Sequence, residues 1–163
     1  MKMDSSVQKN LSLYRKEIMD SWLESLYSSY HNNAEDLLKH EDDPFLNPVG
    51  STINRSLSKI YDGLISGLQP EYLRDYLDDI IRIRAVQDFT PSQAVSFVFS
   101  LRNAVFDFLS KENHDAVSLK SMIEIDAWID AAAVMGFDIY MECRENIFNL
   151  RIREIKKSAL RAG

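Results

Sequence analysis

The sequence predicts an all-α helical bundle of about five to six helices, closed by one long C-terminal helix. Three observations carry that expectation. Apolar residues recur every three or four positions through most of the chain, while sustained period-two alternation and Asn-Gly or Asp-Gly hairpin turns are missing. All four prolines (Pro44, Pro48, Pro70, Pro91) and three of the five glycines (Gly50, Gly63, Gly67) fall between positions 44 and 91. After Pro91, only Gly136 and the terminal Gly163 depart from helix-compatible side chains.

Taken in order, the first helix is expected from about Ser5 to Tyr30. Val7, Leu11, Tyr14, Ile18, Trp22, Leu26 and Tyr30 make one apolar stripe there. A short helical turn at 34–41 follows and ends in the acidic run Glu41-Asp42-Asp43. Asn47-Pro48 reads as an N-cap with proline in the first turn. The helix it opens should bury Ile53, Leu57, Ile60, Tyr61, Leu64 and Leu68. Pro70 opens the next, which runs to about Gln87 with Leu73, Leu77, Ile80, Ile81 and Arg84 near one face. Thr90-Pro91-Ser92-Gln93 has the form of a capping box. The helix after it, to about Lys111, is apolar nearly all round (Val95, Phe97, Val98, Phe99, Leu101, Val105, Phe106, Phe108, Leu109), which predicts the central helix of the bundle.

The last helix should span about 118–157, roughly 60 Å at 1.5 Å per residue. A compact chain of 163 residues is only about 40 Å across. The helix must therefore kink, near Gly136, or project, or pair with another chain. Ile129, Ala133, Gly136, Tyr140, Cys143, Ile147 and Leu150 follow the alternating four-three spacing of a coiled-coil seam, which predicts a homodimer through these residues. The alternative is that the part up to Tyr140 faces the chain's own core. Charge along this helix is polarised: positions 115–145 carry seven acidic and two basic residues. Positions 150–163 carry Arg151, Arg153, Lys156, Lys157 and Arg161 against Glu154 alone. Arg151, Arg153, Lys156 and Lys157 are thus candidates for docking an acidic protein partner, unless they only complement the helix dipole.

Composition excludes several classes. The net charge of −6 argues against nucleic-acid binding. One cysteine, Cys143, forbids an internal disulfide and fits a reducing compartment. The N-terminal stretch lacks a signal-peptide apolar run, and no stretch has the apolar length of a membrane span, so a cytoplasmic protein without membrane insertion is expected. His31, His40 and His114 have no second histidine or cysteine at ligand spacing, so no metal site is expected. No haem-attachment motif, phosphate-binding loop or nucleophile elbow is present, so neither a cofactor nor catalytic residues are assigned. A haem or small-molecule sensor, and an accessory subunit of a larger complex, stay open as alternatives. Arg84 near a core face calls for a carboxylate, either Asp88 or an aspartate of the last helix such as Asp126 or Asp130; Arg82 and Arg102 lie in comparable positions. A surface pair is the alternative.

Two segments carry a family resemblance. Asp43-Pro44-Phe45-Leu46-Asn47-Pro48-Val49-Gly50 and the run from Ile83 to Ala94, which includes Arg84, Gln87, Asp88, Thr90, Pro91 and Gln93, resemble the N-terminal domain of the RsbT co-antagonist protein RsbRD family. The likeness extends from about Ile18 to Leu109 and weakens in the long helix. It implies a single sensory domain over 1–163, globin-like, dimeric and without haem, that serves stress signalling by contact with an unidentified regulatory protein. It further implies structural roles for the motif residues. In that family the last helix leads into a STAS output domain, whereas this chain stops at Gly163. It is then either a stand-alone relative acting through another protein or a piece of a longer one.

Overall fold

The computed structural model describes residues 3–30, 47–111 and 118–162. The three histidines, the expected turn at 34–41 and Asp43, Pro44 and Phe45 lie outside the described residues. Among those described there are six α-helices, one 3-10 turn and no strand: α1 (Ser5–Leu13), α2 (Arg15–Ser28), α3 (Pro48–Ser66), the turn Pro70–Leu73, α4 (Arg74–Val86), α5 (Pro91–Lys111) and α6 (Leu119–Ala162).

The expected first helix is two, broken at Tyr14, where φ is −102° and ψ 25°. Just before the break, the Ser12 hydroxyl donates to the Gln8 carbonyl at 2.8 Å, a local bond that bends helices. The stripe survives the bend: Val7, Leu11, Ile18, Trp22, Leu26 and Tyr30 are all buried. Asn47 caps α3 through its side-chain oxygen, which accepts from the Gly50 N–H at 2.9 Å. Gly67 closes the helix in the left-handed region (φ 70°), and this turn ends the buried face one residue early. Leu68, expected inside, is 44% exposed. Pro70 opens a 3-10 turn rather than α4 itself, and that turn lays Leu73 on Gly63, where a Cβ would come within 2.4 Å of the leucine side chain.

Helix α5 lies between α2 and α6, and α4 joins α3 to α6. Tryptophans link these layers. Trp22 Nε1 donates to the Phe97 carbonyl and Trp128 Nε1 to the Leu68 carbonyl, both at 2.6 Å. Contrary to the reading of α5 as apolar and buried all round, Phe99 is 43% exposed and Phe106 and Phe108 are only partly buried.

At 44 residues, α6 is about 65 Å long. It is helical without interruption through Gly136, so the expected alternative of a kink there is a continuous helix. Gly136 instead lets α4 and α5 come close, since a Cβ would sit 3.1 Å from Ile81 and 3.5 Å from Val95. The helix is buried along one face as far as Cys143; beyond it no residue is buried.

Candidate functional site

Two places concentrate polar or unpartnered groups: the corner between α4 and α5, and the outer surface of α6.

The corner is built by local backbone chemistry. Asp88 adopts a left-handed conformation (φ 60°). The Phe89 N–H returns to the Arg84 carbonyl at 3.2 Å and the Asp88 N–H to that of Ala85 at 3.4 Å. This is a Schellman C-cap. Thr90 and Gln93 then start α5 with a reciprocal box: the Thr90 N–H donates to Gln93 Oε1 at 3.0 Å and the Gln93 N–H to Thr90 Oγ1 at 3.3 Å. Gln87 is the exposed C-cap residue of α4.

Inside this corner Arg84 is fully buried. Its guanidinium donates to the Gln93 carbonyl at 2.6 Å, to Ser29 Oγ, and at 3.4 Å to the Leu26 carbonyl, which ties α4 to both α2 and α5. Three rings surround it, with Phe89, Tyr30 and Phe97 centroids 5.0, 5.1 and 5.7 Å from Cζ. Burial holds its pKa below the usual guanidinium value. No carboxylate pairs with it among the described residues, and Nε has no hydrogen-bond partner there. The expected Arg84–Asp88 ion pair does not form. The left-handed turn carries Asp88 outward, where it meets Arg144 of α6 at 3.3 Å. The carboxylates of the last helix go to a different arginine: Arg102 contacts Asp126 at 2.6 Å and also Asp130.

The corner is anchored to α6 by the Tyr140 hydroxyl, which donates to the Phe89 carbonyl at 2.6 Å. This belongs to a wider correction. Of the expected dimer seam, Ile129, Ala133, Gly136, Tyr140 and Cys143 are buried in the chain's own core. They are the inner face of α6, and as the chain folds they are not available to a second copy. Cys143 is among them; burial, and next Asp78 with its oxygen 3.9 Å from the sulfur, raise the thiol pKa. Only Ile147, half-buried, and Leu150, 57% exposed, run past the body.

A second apolar stripe, missed in the sequence, runs along the opposite side of α6. Leu119, Ile123, Val134, Phe137, Met141, Phe148 and Ile155 are each at least half exposed, and their spacing places them within one third of the helix circumference, about 140° from Cys143. Beside Val134 and Phe137 the stripe opens into a groove of about 760 Å³ against α5, floored by Val95, Phe99 and Ala133 with Asp130 at its rim. Arg151, Arg153, Lys156 and Lys157 lie at the free end and are all exposed. Among the described residues no cluster of acidic, histidine or cysteine side chains is suited to a metal, and no helix is long and apolar enough to cross a membrane.

Residues 16–155 match the RsbT co-antagonist protein rsbRD N-terminal domain model. The chain belongs to this family. The rsbRD N-terminal domain is a regulatory sensor module of signalling proteins. One relative, an uncharacterized protein of Archaeoglobus fulgidus, is 27% identical over 143 residues, covering 86% of this chain and 83% of that protein. No solved structure matches.

Proposed function

We propose that this rsbRD N-terminal domain is a non-catalytic, cytoplasmic regulatory module, a single sensor unit that works as a homodimer and passes its state to a protein partner through α6. The observation that carries the reading is the geometry of α6. Its first half is locked to the Arg84 corner and the core, while residues after Cys143 leave the body with apolar side chains in water. A change in packing at the corner is delivered to the free half, because Tyr140 and Arg144 both grip the corner backbone. Such a module needs a ligand or partner with different affinity for two packings; its output is contact, not chemistry. The globin-like character and the stress-response setting implied by the family motifs belong to this reading. Light scattering on the purified chain, with its absorbance spectrum, tests it. A colourless species near twice 18.8 kDa supports the reading. A monomer at micromolar concentration removes the dimer, and a band near 400 nm makes the protein a chromophore-bearing sensor instead.

A further inference from the structure

A third place, away from the corner and from the outer stripe, carries a charge without a partner. Where α6 packs on the 3-10 turn, a notch of about 210 Å³ is lined by Gln69, Pro70, Glu124, Ala127, Trp128 and Ala131. Its walls follow from the residue types. The buried Trp128 indole is held by its bond to the Leu68 carbonyl, and with the buried Pro70 it gives the notch an apolar back. Ala127 and Ala131 stand four residues apart on the exposed part of the helix. With only a methyl group each, they leave open the space that longer side chains would fill.

Glu124 sits one turn before Trp128, on the same side of the helix. It is half-buried, and its Oε2 lies out of water without a hydrogen-bond partner. Among the described residues its other oxygen makes no bond either. Lys120, one turn earlier, is exposed and does not pair with it. A carboxylate oxygen that has lost water and gained no donor is costly to keep.

The lining names the occupant. Glu124 is its single charge, and free carboxylate lone pairs are best met by a cationic N–H donor. The Gln69 amide oxygen can accept a further N–H, and the indole with Pro70 covers a short hydrocarbon stem. The volume is below the roughly 300 Å³ at which drug-sized ligands begin, so the occupant is small. A net charge of −6 draws cations to the surface.

We infer that this notch is a binding site for a primary alkylammonium group, with Glu124 as its counter-ion and Trp128 as its floor. The soft terminal torsion of a glutamate lets the covered oxygen turn toward the notch. The occupant touches α6 on one side and the Gln69–Pro70 segment on the other, so it bridges α6 to the turn that follows α3. The inference stands on the chemistry of the notch and not on the homodimer.

The probe is butylammonium, titrated at constant ionic strength while NMR follows the two indole N–H signals of the chain. The Trp128 signal should shift saturably, half-way at about 1–10 mM, and that of the fully buried Trp22 should stay in place. Butanol, the same hydrocarbon without the charge, should bind at least tenfold more weakly. Glu124→Gln should weaken the amine at least tenfold with helical circular dichroism kept. Ala131→Leu should abolish the shift by filling the notch while the charge remains. Nα-acetyl-lysinamide carries the same four-carbon ammonium and separates the sources. Tenfold tighter binding than butylammonium would point to a lysine side chain of another protein, and tenfold weaker binding to a free small amine. No saturable shift at Trp128, an equal response to butanol, or undiminished affinity in Glu124→Gln would overturn the inference. So would binding that appears only after Lys120→Ala, since the chain's own lysine would then fill the notch.

Discussion

The two faces of α6 carry the same kind of side chain and meet opposite fates. The inner face, from Ile125 through Ile129, Ala132, Ile139 and Tyr140 to Cys143, is buried under α4 and α5. The outer face, with Ile123, Val134, Phe137, Met141, Phe148 and Ile155, is left in water. An ordinary surface helix is apolar on one side only. A helix apolar on two sides is suited to lie between two bodies, and among the described residues the core covers only one of those sides.

The comparison can be strained hardest at the corner that holds the inner face. Arg84→Ala removes a fully buried side chain that ties the Gln93 carbonyl of α5 to Ser29 Oγ and the Leu26 carbonyl at the end of α2. It should cost about 3–5 kcal/mol, the range for opening a cavity where a large buried side chain stood, measured by urea unfolding. A loss below about 1 kcal/mol would show that the corner does not support the fold. A matched pair of truncations then separates the faces. Ile129→Ala, fully buried, should lose about 2–4 kcal/mol. Ile123→Ala, 57% exposed, should lose under about 0.5 kcal/mol. Equal losses would erase the distinction between the faces. The smallest effect is a gain. Asp88→Gly relieves a left-handed residue in the C-cap and gives up only an exposed pair with Arg144. Thermal unfolding should show stabilisation of about 0.5 kcal/mol, left after the entropy that glycine adds to the unfolded chain.

Much of the body was legible because local rules and packing agree there. The Asn47 cap, the Thr90–Gln93 box and the buried face of α3 follow from residue type and spacing alone. What misled was choice among equals. Ile129, Ala133, Gly136, Tyr140 and Cys143 keep a coiled-coil spacing as faithfully as the outer residues do, and periodicity says that a stripe exists, not which neighbour covers it. Small residues in that stripe were the available signal: Ala133 and Gly136 mark where α5 and α4 approach closely, which suits a domain core. Arg84 was correctly placed near the core, but its expected carboxylate was not found, because a left-handed turn at Asp88 reverses the direction of a side chain only four positions away. No spacing rule encodes that reversal. The long helix and its charge polarity were thus legible, while the exposure of its outer apolar stripe came only from the folded chain.

Whether the proposed homodimer uses the apolar stripe that the fold leaves in water is tested most directly by light scattering on two double variants of equal chemistry. Phe148→Asp/Ile155→Asp lies on the outer stripe, and Ile147→Asp/Leu150→Asp continues the inner one. If the parent is a dimer, the first variant should run as a monomer of about 18.8 kDa with helical circular dichroism largely kept, and the second should stay near twice that mass. A dimeric first variant beside a monomeric second would put the contact on the line of Ile147 and Leu150 and contradict the account.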